Sequence, residues 1–361
     1  MNDIELKTIA IDGKARLNEV TVNGKQFQTP LFMPVATRGA LKSLPFNYLE
    51  HTDIILANTY HLFLRPGLDV IQKFDGLHKF IGWNKVILTD SGGFQGWSIP
   101  NRFNDDGIEF KNIYDGSKFF MDPKLSMDIQ QTLNSDIAMI LDSLIDINKE
   151  YDEQLNAINT TQQWANIARN YHSNKNQSLF GIVQGGKHKE LREKSATDMM
   201  TIDFDGYAIG GLAIGETPEE RKEIVNFTVE MLPKDKLRYV MGLGDIEGML
   251  DLIELGVDIF DCVWPARLAR HGKIINKGKF LNLKNSKYKK DTDPLVVGCR
   301  CFVCLNFSKA YLRHLLTNEP TSAWFYLTLH NIIQTENILN EVKKSILNSE
   351  FDKYKESILN G

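Results

Sequence analysis

Three cysteines and one histidine have the residue types and the spacing of a metal site. Cys299, Cys301 and Cys304 form a Cys-x-Cys-x-x-Cys sequence, and His330 follows in a stretch that looks helical. Zinc prefers four thiolate or imidazole ligands in a tetrahedron, whereas disulfides would leave one of three clustered thiols unpaired. All four ligands come from the protein, so the sequence predicts a closed zinc site with a structural role.

Three aspartates stand where apolar runs end. Asp90 begins the sequence Asp-Ser-Gly-Gly-Phe-Gln, Asp142 ends a second run, and Asp261 ends a third. One such aspartate alone is more often a helix cap or an ion-pair partner. Three of them at the strand ends of one barrel would converge on its mouth. Carboxylates placed at a sugar carbon can divide two tasks, nucleophilic attack and proton transfer.

Glycine-rich segments and two apolar side chains complete the candidate site. Gln184-Gly185-Gly186 and Gly210-Gly211-Leu212 offer an amide and exposed backbone donors, which suit the edge of a heterocycle. Phe94 and Met241, also at strand ends, could hold a flat ring between them. Either side chain alone is more often an ordinary part of the core.

The elements that must position these residues are eight short apolar or β-branched runs. They are Leu31–Thr37, Asp53–Thr59, Val86–Asp90, Ile137–Asp142, Leu179–Gln184, Gly206–Gly210, Arg238–Gly242 and Val257–Asp261. Continuous apolar strands are typical of parallel sheets buried on both faces. With helices between them they predict an α/β fold, a (β/α)8 TIM barrel. We prefer it to a doubly wound open sheet, because barrels build their sites at the C-terminal strand ends.

The remaining segments fit around this barrel. Asp122-Pro123 and Thr217-Pro218 are helix start signals. Residues 107–122 resemble an inserted hairpin that turns at Asp115-Gly116, and residues 331–361 resemble a terminal amphipathic helical region. We therefore expect one catalytic barrel domain over residues 1–361, with a zinc-binding subdomain inserted at residues 291–331.

Charge distribution is more informative than net charge. The chain of 361 residues has a net charge of −4, which argues against a generally basic nucleic-acid binder. However, residues 266–290 contain nine lysines and arginines and no acidic residue. Such a strip can be a solvated loop, but its position beside the candidate site favours phosphate binding. The first seventeen residues lack an apolar leader and no run approaches a membrane span, so we expect a cytoplasmic protein.

Taken together, the motifs resemble those of the tRNA-guanine transglycosylases (queuine tRNA-ribosyltransferases), bacterial type, which replace the wobble guanine of certain tRNAs with a 7-deazaguanine. The matching segments are Ala57–His61, Leu88–Gln95, Asp115–Lys118, Gly181–Gly186, Ala208–Ala213, Met241-Gly242, Phe260–Val263 and the cysteine cluster with its histidine. They cover most of the chain.

The resemblance implies roles for individual residues. Asp261 matches the nucleophile that attacks C1′ of the wobble nucleotide and forms a covalent tRNA intermediate, and Asp90 matches the proton acceptor and general acid-base. The positions matching base-binding residues are Asp90, Ser91, Gly92, Gly93, Phe94, Asp142, Gln184, Gly211 and Met241. Those matching RNA contacts are Gly242, Leu243, Gly244, Asp245, Ile246, Glu247, Gly248, Ala266, Arg267, Leu268, Ala269 and Arg270.

It also implies partners and pathway. The expected substrates are tRNAs for Tyr, His, Asn and Asp with GUN anticodons, and the product belongs to queuosine biosynthesis. The expected metal is one structural Zn²⁺, the expected assembly is a homodimer shaped partly by the zinc region, and no membrane is involved. The target nucleotide must leave its stack to reach the pocket.

Three departures from the family pattern leave the incoming base open. Ser143 and Leu144 stand where bacterial members usually have an acidic residue and a cysteine. Members that use free queuine have an aliphatic residue at the second of these positions, but also a small residue where this chain has Ile214. The base is thus 7-aminomethyl-7-deazaguanine or queuine, and the bacterial-like length favours the first. Ala266 replaces a common threonine, which affects anticodon contacts.

Two other functions compete with an active transferase. A non-catalytic tRNA-binding subunit of a heterodimer should lack the nucleophile, whereas Asp261 is present in its full motif. A metal-dependent barrel hydrolase generally needs two histidines at one strand end, and His61 stands alone in its motif. The sequence therefore favours the transferase.

Overall fold

A computed structural model of the chain describes residues 4–98 and 101–360. The strands are β1 (Glu5–Asp12), β2 (Ala15–Val22), β3 (Lys25–Thr29), β4 (Leu31–Ala36), β5 (Ile54–Ala57), β6 (Val86–Thr89), β7 (Asn101–Asn104), β8 (Gly107–Lys111), β9 (Lys118–Met121), β10 (Ile137–Met139), β11 (Ser178–Val183), β12 (Gly206–Ile209), β13 (Leu237–Val240), β14 (Ile259–Cys262), β15 (Lys273–Asn276) and β16 (Lys279–Asn282).

The helices alternate with the strands in the middle of the chain and dominate its end. They are α1 (Thr59–Leu64), α2 (Leu68–Gln72), α3 (Leu77–Ile81), α4 (Gly93–Ser98), α5 (Pro123–Leu133), α6 (Tyr151–Tyr171), α7 (Lys189–Ile202), α8 (Pro218–Met231), α9 (Ile246–Ile253), α10 (Trp264–Arg270), α11 (Phe302–Asn306), α12 (Lys309–Asn318), α13 (Pro320–Leu347) and α14 (Phe351–Asn360). Short 3-10 segments lie at Phe46–Tyr48 and Ser286–Lys290.

The eight predicted strands form a closed parallel barrel in the order β4-β5-β6-β10-β11-β12-β13-β14. Closure is made by β14 and β4, where Ile259 pairs with Leu31 and Cys262 with Pro34. Strands β5, β6, β11, β12 and β13 are buried along their whole length. The predicted TIM barrel is therefore confirmed, and the open sheet is excluded because no barrel strand is an edge.

Both predicted helix starts are confirmed by their caps. The carboxylate of Asp122 accepts a hydrogen bond from the backbone N–H of Leu125 at the start of α5. At the start of α8, Thr217 and Glu220 cap each other's backbone N–H groups. These caps fix where the chain turns after leaving a strand, and therefore which residues stay in the loops at the barrel mouth.

The hairpin inserted after β6 is confirmed and is larger than predicted. Strands β8 and β9 pair antiparallel, with Lys111 opposite Lys118 on either side of the Asp115-Gly116 turn. Strand β7 adds a third strand that pairs with β8. The rings of Phe110 and Phe119 stack 5.3 Å apart against α1, so this sheet is packed onto the barrel mouth.

An antiparallel sheet of β1, β2 and β3, which the sequence analysis did not predict, precedes the barrel. Its second turn is Asn23-Gly24, with φ angles of 51° and 72°. The sheet is attached to the barrel by Arg16 on β2, whose guanidinium donates to both carboxylate oxygens of Asp258. Because Asp258 precedes β14, this sheet lies at the end of the barrel opposite the strand ends that carry the candidate site.

The C-terminal part of the chain packs small elements against one long helix. Hairpin β15–β16, α11 and α12 lie along α13, which starts at Pro320, before the predicted terminal helical region, and continues to Leu347. His330 is buried in the middle of α13, which confirms the helix predicted around it from the sequence. Whether residues 291–331 form a separate unit stays a prediction. Within the described residues, no helix is long and apolar enough to cross a bilayer.

Candidate active site and metal centre

A cavity of about 300 Å³ opens at the C-terminal ends of the barrel strands. The predicted nucleophile Asp261 lines it together with most of the residues predicted to bind the base, namely Asp90, Ser91, Gly93, Phe94, Asp142, Gln184, Gly211 and Met241. Gly92 is buried directly behind Ser91, with a positive φ of 84°. The barrel thus brings the three predicted aspartates, which are far apart in sequence, to one small chamber.

Asp261 is held by two hydrogen bonds that both end on the same carboxylate oxygen. The hydroxyl of Tyr239 on β13 donates to Oδ1 at 2.5 Å, and the backbone N–H of Gly242 donates to it at 2.7 Å. Burial raises the pKa of Asp261, and these two donors oppose the rise because they favour the ionised form. Among the described residues no donor contacts the second oxygen, Oδ2, so its lone pairs are available for an electrophile in the cavity.

Asp90 is held at the opposite wall by residues that follow β5. Asn58 donates to Oδ2 at 2.5 Å, and the backbone N–H of Thr59 donates to Oδ1 at 2.9 Å. Burial raises the pKa of Asp90 to about 7, and the negative charge of Asp261 adds to the rise. A carboxyl group with a pKa near neutrality can both give and take a proton, which is what general acid-base catalysis requires.

Asp142 and Gln184 form a polar pair deeper in the cavity. The side-chain amide of Gln184 donates to Oδ2 of Asp142 at 2.6 Å, and burial raises the pKa of Asp142 to about 6. Gly93 lies so close that a Cβ there would be 2.5 Å from Oδ1 of Asp142. A side chain at that position would therefore displace the carboxylate of Asp142, whereas glycine leaves it in place to meet the polar edge of a heterocycle.

The loop after β12 borders the same pair and depends on a buried arginine. Arg192 on α7 donates to the carbonyl oxygens of Val183, Gly186 and Gly210, at 2.9–3.0 Å. A Cβ at Gly211 would be 2.6 Å from the side-chain oxygen of Gln184. The arginine therefore joins the ends of β11 and β12 and holds the Gly210-Gly211 loop against Gln184.

Comparison with known proteins agrees with this geometry. A family model described as queuine tRNA-ribosyltransferase matches residues 12–361. The chain belongs to the queuine tRNA-ribosyltransferase family. A relative so named from Dictyoglomus turgidum is 42% identical over 353 residues, 96% of this chain and 91% of that protein. Relatives of the same name are 43% identical in Thermotoga maritima (96% and 95% covered) and 41% identical in Bacillus subtilis (95% and 91% covered).

Family membership confirms the resemblance seen in the sequence motifs and the predicted class of enzyme, a pentosyltransferase. Most of the motifs that carry the resemblance contribute residues to the wall of the cavity; the Asp115–Lys118 segment and the cysteine cluster do not. The roles of the individual residues stay predictions, and the geometry above is what supports them.

Several residues that orient the site of this family member were not identified from the sequence. Tyr239 lies within a buried strand, where an aromatic residue indicates core packing, and Arg192 lies inside an ordinary amphipathic helix. Asn58 and Thr59 are part of a matching motif, but nothing in their spacing indicates that they hold Asp90. Only the three-dimensional contacts reveal these partners.

The two segments predicted to contact RNA, residues 242–248 and 266–270, expose only some of their residues. Gly242 lines the cavity, and Asp245 caps α9 by accepting a hydrogen bond from Gly248. The residues of the two segments differ in exposure. The exposed ones are Gly242, Glu247 and Arg267, and the partly exposed ones are Asp245, Ala266 and Arg270. The buried ones are Leu243, Gly244, Ile246, Gly248, Leu268 and Ala269. Ala266 and Arg270 line a neighbouring cavity of about 240 Å³.

The four predicted metal ligands meet at one point, away from the cavity. The ligand atoms of Cys299, Cys301, Cys304 and His330 all lie within 4.8 Å of one another. The Nδ1 atom of His330 is 3.4 Å from Sγ of Cys301 and 3.3 Å from Sγ of Cys304. Ligands of a tetrahedral zinc ion are separated by about 3.5–3.8 Å, so these four residues fit a metal ion of that kind.

Further contacts prepare the cluster for a metal. The second ring nitrogen of His330, Nε2, is 3.1 Å from the carbonyl oxygen of Ile275, which fixes Nδ1 as the ligand atom. Gln334 donates to Sγ of Cys299 at 3.1 Å, and the backbone N–H of Cys304 donates to Sγ of Cys301 at 3.4 Å. Such donors stabilise thiolates, the form of cysteine that binds metals.

Proposed function

We propose that this enzyme exchanges the wobble guanine of tRNAs with GUN anticodons (Tyr, His, Asn and Asp) for a 7-deazaguanine in queuosine biosynthesis. The observation that supports this most is the pairing of Asp261 and Asp90. Both face one cavity, but one has an oxygen free for attack, whereas the other has a pKa of about 7. Double displacement at a ribose carbon needs these two different carboxyl groups.

In the first half of the reaction, Oδ2 of Asp261 attacks C1′ of the wobble nucleotide. The glycosidic C–N bond breaks, its electron pair leaves with guanine, and protonated Asp90 gives the departing base a proton. Tyr239 and Gly242 hold the other oxygen of Asp261, so its carboxylate cannot rotate away from C1′. The product is a covalent ester between Asp261 and the ribose of the tRNA.

In the second half, the incoming base takes the place of guanine. Asp90, now ionised, removes a proton from the base nitrogen, which attacks C1′ and displaces the carboxylate of Asp261. Two inversions at one carbon retain the anomeric configuration, and one glycosidic bond replaces another without ATP. Asp142, Gln184 and the backbone near Gly211 bind the polar edge of either base, and Phe94 and Met241 stack on its faces.

The incoming base is chosen at the apolar end of the same cavity. Leu144 and Ile214 both line it. These are the two positions whose residue types point to different incoming bases in the sequence analysis above. Competition between 7-aminomethyl-7-deazaguanine and queuine in one exchange assay decides between the two. We propose the aminomethyl base, and preferred incorporation of queuine would reverse that assignment.

For the tRNA, we propose that the anticodon loop lies over the cavity and the basic strip. Arg267 is exposed at the start of the strip and Arg270 lines the cavity next to the active site, so both can reach bases beside the wobble position. The seven lysines of residues 273–290 are all exposed. Phosphates neutralised by such lysines make RNA binding depend steeply on salt.

We further propose that the metal is one structural Zn²⁺ ion and that the active form is a cytoplasmic homodimer. Val297, Phe302 and Leu305 stand around the cysteine cluster with exposed fractions of 72%, 47% and 68%. Apolar side chains so exposed beside a rigid metal centre suit a subunit interface. Light scattering should give twice the mass of the chain, and a monomer at micromolar concentration would contradict the dimer.

The decisive experiment is incorporation of labelled guanine into a tRNA for Tyr, His, Asn or Asp. We expect Asp261→Asn to abolish incorporation while tRNA still binds, because the amide cannot attack C1′. Asp152→Asn, an exposed change of the same chemistry on α6, serves as the matched control and should exchange normally. Exchange that survives in Asp261→Asn would show that the nucleophile is another residue. Absent exchange in the folded, metal-loaded native protein would instead favour a non-catalytic tRNA-binding subunit.

A further inference from the structure

A second cationic cluster lies at the rim of the cavity, apart from the basic strip. It consists of Arg38, Arg65 and Tyr114, and we call it the Arg-Tyr cluster. The guanidinium carbon of Arg65 is 3.7 Å from the centre of the Tyr114 ring, and that of Arg38 is 5.7 Å from it. Both arginines are exposed, whereas the tyrosine is partly buried. One aromatic ring thus organises two positive charges at the surface.

The three residues come from three consecutive loops at the catalytic end of the barrel. Arg38 follows Thr37, a cavity residue, directly after β4. Arg65 ends α1, the helix whose N-cap residue, Asn58, also lines the cavity and holds Asp90. Tyr114 lies in the turn between β8 and β9. The Arg-Tyr cluster is therefore on the side of the mouth formed after β4, β5 and β6, while the basic strip follows β14.

The charges of the Arg-Tyr cluster are only partly compensated by the protein. Within residues 4–98 and 101–360, neither guanidinium has a carboxylate oxygen within 4 Å. Asp115, the acidic residue of the neighbouring turn, accepts hydrogen bonds from the backbone N–H and hydroxyl of Ser117, which lower its pKa, and the more distant charge of Arg65 adds only a smaller lowering. Burial lowers the pKa of His61 below its usual value, and the positive charge of Arg38 lowers it further, so His61 is neutral at pH 7 and adds no third positive charge.

We propose that Arg38 and Arg65 form a binding site for backbone phosphates of single-stranded RNA next to the nucleotide in the cavity. A guanidinium that lies flat on an aromatic ring keeps its N–H edge directed outward, and this edge matches two phosphate oxygens. Two adjacent cations that form no salt bridge with the described residues also repel each other, and an RNA phosphate relieves that repulsion. This inference rests on the proposed function, because it takes the RNA to be the tRNA anticodon loop.

The placement of the two basic surfaces gives the site its role. The anticodon loop would pass between the basic strip on one side and the Arg-Tyr cluster on the other, with the wobble nucleotide directed into the cavity. Contacts on both flanks would increase the affinity of the enzyme for the tRNA and leave the two displacement steps to the residues of the cavity. The competing explanation is that Arg65 only fixes the β8–β9 turn, in which case RNA affinity would not depend on it.

The test measures binding of an anticodon stem-loop RNA by fluorescence anisotropy at several salt concentrations. In the double variant Arg38→Gln/Arg65→Gln we expect about tenfold weaker binding at low salt. The slope of log affinity against log salt should fall by about 1.4–1.8, since each phosphate contact contributes about 0.7–0.9. The matched control, Lys73→Gln/Lys175→Gln, removes two exposed lysines that lie away from the mouth and should keep the native slope.

A ring variant and a kinetic measurement separate binding from folding. Tyr114→Leu keeps both arginines but removes the ring, and we expect a smaller loss of affinity than in the double variant. In guanine exchange, the double variant should raise KM for tRNA about tenfold and leave KM for guanine and kcat unchanged. A lower melting temperature with native RNA affinity and salt slope would overturn the site and leave Arg65 with a purely structural role.

The outcomes distinguish this site from the proposed function. If the native protein exchanges guanine and the double variant binds RNA with native affinity and slope, the phosphate site alone is wrong. If the native protein binds RNA through both arginines but does not exchange guanine, the site stands and the proposed reaction fails. If the native protein binds no anticodon stem-loop, both are wrong.

Discussion

At the scale of residues, the function depends on how hydrogen bonds differentiate two chemically identical side chains. The donors to Asp261 both contact one oxygen, whereas Asn58 and Thr59 each contact a different oxygen of Asp90. The first arrangement orients a nucleophile and leaves one oxygen open. The second holds a proton carrier, whose pKa rises to about 7 because it is buried close to another carboxylate.

Tyr239→Phe tests the orientation of the nucleophile. The change removes the hydroxyl that donates to Asp261 and keeps the buried ring, so the fold should be preserved. A hydrogen bond to a charged group contributes about 1.5–3 kcal/mol, and we expect kcat to fall about ten- to a hundredfold. Without this donor the pKa of Asp261 rises further, so the acid limb of the rate profile should move to higher pH. Steady-state kinetics between pH 5 and 8 checks both effects, and native kcat would contradict the role of Tyr239.

Asn58→Ser tests the proton carrier through pH. Release of guanine requires protonated Asp90, so its rate should fall as the pH rises through the pKa of about 7. The amide of Asn58 stabilises the ionised form, and its removal raises the pKa. The falling limb should therefore move to higher pH in the variant, while serine still caps α1. Single-turnover release of guanine measures this limb. The exposed change Asn166→Ser should leave the limb in place, and a shift to lower pH in Asn58→Ser would contradict the assignment.

The sequence could predict the aspartates because their position at strand ends is a local signal. It could not predict their hydrogen-bond partners. Tyr239 lies on β13 and Asn58 follows β5, and nothing in their distance along the chain from Asp261 and Asp90 indicates these contacts. The same holds for Arg192, a charged residue inside a helix whose function depends on the carbonyl groups of two neighbouring strand ends.

At the scale of elements, the barrel was predictable and the N-terminal sheet was missed. The eight barrel strands are buried on both faces, so each appears in the sequence as a continuous apolar run. Strands β1 and β3 have exposed residues along their length, and β2 buries the polar side chains of Arg16 and Asn18, so none of the three appears in the sequence as a continuous apolar run. The dipeptides Asp12-Gly13 and Asn23-Gly24 at their turns are strong hairpin signals that could have revealed the sheet.

Asp258→Asn tests how this sheet is attached to the barrel. The carboxylate of Asp258 is fully buried and accepts hydrogen bonds from Arg16, from Asn18 and from the backbone N–H of Arg238. Neutralising it leaves the guanidinium of Arg16 buried without a counter-charge, which costs about 3–5 kcal/mol. We expect the free energy of unfolding in urea to fall by about this amount.

The matched control for Asp258→Asn is Glu230→Gln. It breaks the ion pair between Glu230 and Lys14, which also joins the N-terminal sheet to the barrel but is exposed on both sides. Exposed pairs contribute at most about 1 kcal/mol, so urea unfolding should change little. If the free energy of unfolding fell equally in the two variants, burial of the Arg16–Asp258 pair would not be the reason why it stabilises the protein.

At the scale of the whole molecule, α13 connects the metal centre to the barrel core. Its first half, with Ala323 and Leu327, packs in a core that joins the C-terminal elements to barrel strands β4 to β6, and its second half, with Ile338 and Val342, packs in the core that contains most of the barrel strands. His330 lies between these halves. A metal ion on His330 therefore fixes the helix at the point where the two cores meet, and its effect should extend along the first half of α13.

Removal of the metal tests this connection. Without the ion, no bond holds the three cysteines and the buried histidine together, so the C-terminal elements should loosen while the barrel stays folded. After treatment with a chelator, we expect faster hydrogen exchange in residues 273–318 and in the first half of α13, and unchanged protection in β10 to β13. Cys304→Ser should lose the metal, whereas Cys262→Ser, which changes the cysteine outside the cluster, should keep one ion per chain. Exchange that accelerates uniformly over the barrel would show that the ion stabilises the whole fold. No change in exchange anywhere would show that the cysteine cluster is stable without the ion.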